Sequence, residues 1–160
     1  MTVAVSFKSA DQLVSERLVG VHDAWKRTAG ERMGPKREEI TPSLLRTALP
    51  WIWMIDVVDG GKDFLFRIAG ERVIEFMGRR HAGELLSSNL ENPFFQRMHA
   101  ILVQCHRQRK PVAAGPVRSN LAGKDFLEME VVVMPLSEDG RNVTTLFGAL
   151  DLCGLPGLGK

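Results

Sequence analysis

Hydrophobic and polar positions along the chain follow two periods, and the change from one to the other marks the elements. Val14, Leu18, Val21 and Trp25 recur at i, i+4, i+7 and i+11, the spacing of a single apolar stripe on a helix. Ser9-Ala10-Asp11-Gln12 carries the residues of a capping box, and Gly30 supplies a terminator, so the pattern predicts a helix from about Ala10 to Ala29. The charged stretch 31–40, with Gly34-Pro35, reads as a linker. Thr41-Pro42 opens a short second helix that ends before Pro50.

The period then changes. Trp51 to Val58 and Phe64 to Ala69 are rich in aromatic and β-branched residues, and Asp59-Gly60-Gly61-Lys62 between them has hairpin turn chemistry. A turn centred on the two glycines sets Ile55 opposite Phe66. Trp51, Trp53, Ile55 and Val57 then share a face with Phe64, Phe66 and Ile68, while Asp56 and Arg67 lie diagonally on the other. Gly70 to Gly78 and Ala82 to Leu86 read as short helical turns. Asn92-Pro93 caps a longer helix to about Arg109, with Phe94, Phe95, Met98, Ile101, Leu102 and Cys105 as its stripe. Three strand-like runs close the chain, Val112–Ser119, Phe126–Pro135 and Val143–Leu152. A turn at Asp139-Gly140 would place Val133 opposite Leu146 and Val131 opposite Gly148.

Two strands, a helical excursion and three strands make an α+β fold: a five-stranded antiparallel sheet with helices over one face and an N-terminal helical extension. The division that follows is an N-terminal helix and linker over 1–40, a domain over 41–152 and a flexible tail over 153–160.

Composition narrows the function classes. With 160 residues, 44% hydrophobic, 25% charged and a net charge of +2, the chain is an ordinary globular protein with no mandate for nucleic acid. Arg79-Arg80-His81 and the basic run 106–110 lack interleaved aromatics and read as solvated surface or a dipole-stabilised helix end. Cys105 and Cys153 have no metal-ligand or disulfide-framework spacing, which points to reduced thiols in the cytoplasm. No run of about 18 apolar residues offers a membrane span, and the N-terminus lacks the pattern of an export signal.

The aromatic hairpin face brings candidate chemistry with it. Trp53, Phe64 and Phe66, with Met77, Phe95, Met98 and Met129 from facing elements, could line a pocket for a small apolar ligand; the competing reading is that all seven are core. Asp56 and Arg67 are explained by a cross-strand ion pair. An isomerase-like enzyme in an α+β cone would need a carboxylate in the cavity beside a donor, but tyrosine is absent and Glu128 and Glu130 fall on the polar strand face, so a non-enzymatic module is the better reading.

Trp25, Ile40-Thr41-Pro42, Leu49-Pro50, Phe66-Arg67-Ile68-Ala69-Gly70 and the segment Gly78 to Gly83 stand in an order and spacing that resembles the PAS domain. The likeness is closer to the divergent single-domain PAS-like family common in proteobacteria, and it covers Leu18 to Leu152. It implies a sensory or regulatory module in signal transduction, with a ligand or cofactor of unknown identity between sheet and helices, or with dimerisation and protein contacts alone. Some PAS sensors bind haem iron through a histidine on the corresponding helix, which draws attention to His99 and His106; His99 only flanks the apolar stripe, and nothing else marks a haem pocket. Cys105 lacks the asparagine-rich surroundings of the light-sensing, flavin-reactive relatives. With no recognisable kinase, cyclase or DNA-binding output segment, output is expected through a signalling partner. In relatives the helix before the first strand often packs on its copy, so the stripe Val14, Leu18, Val21, Trp25 is a homodimer candidate. The alternative is that this helix folds back over the outer face of its own sheet, on Met54, Val132 and Phe147.

Overall fold

The run Glu128-Met-Glu-Val-Val-Val-Met-Pro-Leu136 forms a strand in which every side chain after the first is buried. Side chains alternate across a strand, so such a run must be covered on both faces. The computed structural model, which describes residues 5–119, 121, 123, 124 and 127–153, shows both covers. In chain order its elements are β1 (Phe7–Lys8), α1 (Glu16–Ala29), α2 (Pro42–Leu45), β2 (Ile52–Val58), β3 (Asp63–Ala69), α3 (Glu71–Met77), α4 (Pro93–Gln108), β4 (Val112–Arg118), β5 (Glu128–Leu136) and β6 (Thr145–Cys153). The strands form one antiparallel sheet in the order β1-β4-β5-β6-β2-β3. The five expected strands are all present. The sixth, β1, pairs Phe7 with Ala114 and Lys8 with Ala113, and two residues are too short to show a period in the sequence.

Two apolar layers flank the sheet. The inner one joins Trp51, Trp53, Ile55, Phe64 and Phe66 of the first hairpin region to Val73 and Phe76 of α3 and to the stripe of α4. The outer one joins Leu18, Val21 and Trp25 of α1 to Met54, Val132, Met134, Phe147 and Ala149 of the sheet. Folding α1 back on its own sheet is thus the arrangement present, with the Trp25 indole donating to the Pro135 carbonyl at 2.9 Å. Burying a side chain such as Leu18 contributes about 1.5–3 kcal/mol.

The helical N-terminus differs from the expected span. The Ser9 capping box is present, but it closes a single 3-10 turn over Ala10–Gln12, and α1 begins only at Glu16 under a cap from Ser15. Glu130 accounts for the break. Its carboxylate, 1% exposed, accepts the backbone N–H groups of Val14 at 2.9 Å and Ser15 at 2.8 Å, and Lys8 Nζ lies 2.6 Å from it. Glu130 does lie on the outer strand face, as its alternation requires, yet the N-terminal segment covers it. Donors engaged by that carboxylate cannot belong to a continuous helix from Ala10.

Register is as expected at Ile55 opposite Phe66, but a bulge follows. The ladder slips between Met54 and Ile55, so Ile68 comes opposite Met54 and is 46% exposed instead of joining the inner face. At the other hairpin the structure pairs Val133 with Gly148 and Val131 with Leu150, two residues from the expected register. The connection there is a loop over 137–144, organised by Asp139, whose Oδ1 accepts from the backbone N–H groups of Arg141 and Asn142, both at 2.8 Å. A slip of two residues keeps every side chain on its face, so the core is unaffected. The stretch Ala82 to Leu86 is not helical: Phe66 N–H donates to the Glu84 carbonyl and Gly83 N–H to that of Phe66, so it runs beside β3 before a 3-10 turn at Leu86–Asn89. Cys153 ends β6 opposite Glu128, and the rest of the expected tail, 154–160, lies outside the described residues, as does Phe126.

If Glu130 holds the N-terminal segment, Glu130→Ala leaves buried N–H donors unpaired and lowers stability in urea unfolding by about 3 kcal/mol, the scale of a broken buried charge pair. A variant as stable as wild type would mean that apolar contacts alone hold the segment.

Candidate functional site

The inner layer is where packing is incomplete. Asn92 caps α4, its Oδ1 accepting the Phe94 N–H at 2.9 Å, and Pro93 opens the helix. The helix buries Phe94, Phe95, Met98, Ile101, Leu102 and Cys105 toward the sheet. Between α4 and β4–β5 lies one cavity of about 150 Å³, lined by Phe94, Ile101, Ala114, Met129 and Val131 among others, with Val5 and Ser6 along it. Between α3, β3 and the segment 79–82 lies a second of about 150 Å³, whose apolar wall includes Phe66, Val73, Ile74 and Met77. Trp53 and Met98 line both and form the partition. A dry cavity of about 150 Å³ is large enough to bind benzene.

Gly148 explains the position of the partition. A Cβ built on this residue would lie 2.0–2.5 Å from the six-membered ring of Trp53, so the indole lies flat where β6 has no side chain. Any larger residue would push Trp53 off the sheet and into one of the cavities.

Two side chains in the lining of the second cavity, Trp53 and His81, carry a buried nitrogen without a hydrogen-bond partner, Nε1 and Nδ1, and Trp53 lines the first cavity as well. Such atoms are uncommon in folded proteins and call for an explanation. The His81 ring is 8% exposed and packs 5.5 Å from Phe66 and 5.2 Å from Phe95. Burial first, and then the Arg79 charge, hold its pKa below the ordinary histidine value. Three arginines stand around this cavity, Arg67, Arg79 and Arg80. Arg67 Nε is 2.5 Å from Asp56 Oδ2, the expected cross-strand pair, and Arg79 pairs with Glu84 at 2.5 Å, a contact that holds the Glu84 carboxyl at about 2. Arg80 is exposed and makes no ion pair among the described residues.

Of the seven residues expected to line a pocket, Trp53 and Met98 line both cavities, Phe66 and Met77 the second and Met129 the first. Phe64 and Phe95 do not line either. Phe64 is fully buried, its ring 6.0 Å from that of His99, and Phe95 stands edge-on to Phe66 and Phe94. His99 and His106 are absent from both linings; the His106 ring lies over Gly61 at the first hairpin turn. Cys105 is fully buried, and burial pushes its thiol far up, which leaves it a core residue without nucleophilic character. In the stripe proposed for pairing of copies, Leu18, Val21 and Trp25 are buried on the sheet and Val14 is 70% exposed. His81 and Arg80 were legible only as a basic cluster; what brings them to the cavity is the left-handed cap at Gly78, φ 89°, which turns the chain back over β3.

A sheet of this order, with helices over its inner face and a cavity between them, is joined by a match to a family model described as PAS domain over residues 14–151. The chain belongs to the PAS domain family. Neither a curated protein nor a solved structure matches it. The PAS assignment makes the chain a sensory or regulatory module in general terms, and PAS domains are typically signalling modules without catalysis. Among the described residues no helix of this PAS domain is long and apolar enough to cross a membrane, and no cluster of side chains has the makings of a metal site.

The His81 shift has a direct consequence for stability. The unfolded chain takes up the proton near pH 6.5 and the folded chain only at lower pH, so stability is complete above about 6.5 and declines as pH falls through that value. His22 and His106 are shifted the same way, also chiefly by burial. His81→Gln is therefore expected to flatten, without abolishing, the fall in urea midpoint between about pH 7 and pH 5; an unchanged slope would show that His81 is already solvated.

Proposed function

We propose that this PAS domain is a ligand-responsive regulatory module that holds a small, largely apolar molecule on the inner face of its sheet and passes its occupancy to a partner protein. The observation that carries this reading is the Trp53–Met98 partition, flanked on both sides by cavities of about 150 Å³ inside an otherwise close-packed layer. Interiors rarely keep voids larger than water, and concave apolar sites with a few polar atoms are the usual form of a ligand pocket. Trp53 and Met98 connect the two halves, so that a ligand on either side presses on the same two side chains. Met98 belongs to α4 and Met77 to α3, and methionine accommodates different shapes at little cost. A filled cavity can thus shift α3 relative to α4, a change that a partner can read.

The domain acts on this reading without chemistry of its own. Neither cavity has an Asp or Glu among its described lining residues, which gives acid–base catalysis no carboxylate. Pairing of two copies through α1 is the less supported route to a signal, since Leu18, Val21 and Trp25 are committed to the sheet and the exposed large apolar residues there are Val19 on α1 and Val14 just before it.

The test compares affinity with stability. Met77→Trp fills the second cavity, and Phe66→Ala enlarges it at a stability cost of about 3–5 kcal/mol if the site does not relax. Isothermal titration with a small apolar compound should show Met77→Trp losing binding at least tenfold while its urea midpoint stays near that of wild type. Equal losses of binding and stability would mean that these side chains serve only as core.

A further inference from the structure

The second cavity can be assigned a ligand class, an inference that rests on the ligand-binding reading above. Its interior is apolar, from Trp53, Phe66, Val73, Met77 and Met98, and holds about 150 Å³. That is room for one aromatic ring or a short alkyl chain. Two polar side chains more than nine-tenths buried stand in its lining with an unpartnered nitrogen each, Trp53 Nε1 and His81 Nδ1. The indole N–H can only donate, so what satisfies it must present an acceptor. His81 Nδ1 can carry the proton and donate as well, because a neutral imidazole chooses its tautomer by the partner it meets.

Charge selects among acceptors. Arg67 is neutralised by Asp56 and Arg79 by Glu84, both at 2.5 Å. Arg80 remains as an exposed cation without an ion-pair partner among the described residues, and it too lines the cavity. Two unpartnered nitrogens on lining side chains and one uncompensated guanidinium outside complement an anion on an apolar body, and a planar guanidinium matches a carboxylate in two parallel hydrogen bonds. We infer that the second cavity takes a small monocarboxylate whose body is a single aromatic ring or short alkyl chain, with its carboxylate facing Arg80, His81 and the Trp53 N–H.

Phenylacetate and its neutral counterpart 2-phenylethanol separate this inference from the reading beneath it, because they share the ring and differ in charge. Isothermal titration of the full chain should show phenylacetate binding at least tenfold tighter than 2-phenylethanol. Arg80→Gln, a surface change that leaves the fold intact, should remove most of that advantage, and Trp53→Phe, which deletes the donor while keeping an aromatic ring, should reduce it. Met77→Trp should abolish binding of both. Equal affinity for the two compounds would overturn the carboxylate assignment and leave a neutral apolar pocket; no binding of either would overturn the pocket as well. An advantage that survives Arg80→Gln, or binding that survives Met77→Trp, would place the ligand elsewhere, in the first cavity or on the surface, and overturn the assignment.

Discussion

A sheet whose central strands are apolar on both sides cannot leave either side in water. Val131 and Val133 face one way and Val132 and Met134 the other, all buried, and Phe147 and Ala149 of β6 extend the second surface. At roughly 25 cal/mol per Å² of apolar surface, an uncovered outer face would cost more than a marginally stable domain can lose. α1 therefore becomes part of the folded unit, and the segment before it becomes a strap. Lys8, Val14 and Ser15 all terminate on the Glu130 carboxylate, which stands beside the apolar outer surface of the sheet.

The two faces are finished differently. On the outer face α1 lies close, with Trp25 anchored by a hydrogen bond to Pro135. On the inner face α4 packs tightly near Leu102 and Cys105 but leaves space on either side of Trp53. Gly148 allows that indole to lie against β6, and without it the partition would stand upright between the layers. A second glycine, Gly115 at φ 92°, makes the comparable allowance in β4, where a Cβ would lie 2.4 Å from the Met129 carbonyl. Apolar cavities and unpartnered nitrogens thus occur together on the inner side of the sheet, while α1 packs directly on the outer side. The proposed function draws on the loosely filled half.

Much of this was legible in the sequence. The five longer strands, the long helix after Asn92-Pro93 and the placement of Ile55 against Phe66 follow from period and turn chemistry, which act over a few residues. What was hidden depends on contacts between distant residues. The break before α1 requires Glu130, more than a hundred positions away, and the outward turn of Ile68 requires a bulge that period-two counting cannot foresee. The seven expected pocket residues were chosen by face, on the hairpin and on the elements opposite it, and face alone does not distinguish a wall from a filled core; Phe64 beside Trp53 and Phe66, and Phe95 on the facing helix, are buried against other aromatic rings. Arg80 and His81 belong to no periodic element, so only the chain reversal after Gly78 brings them to the cavity.

The inner face holds apolar cavities while α1 covers the outer face, and the three tryptophans of the chain are natural reporters of that difference. Trp25 lies in the outer layer, Trp51 in the inner core, and Trp53 between the cavities. Xenon enters apolar cavities of this size without needing a particular functional group. A ¹H–¹⁵N correlation spectrum recorded under xenon pressure, with the indole signals assigned by single Trp→Phe variants, should show the Trp53 signal moving progressively and the Trp25 signal fixed. Movement of Trp25 with Trp53 unchanged would contradict the account, because the open space would then lie beneath α1.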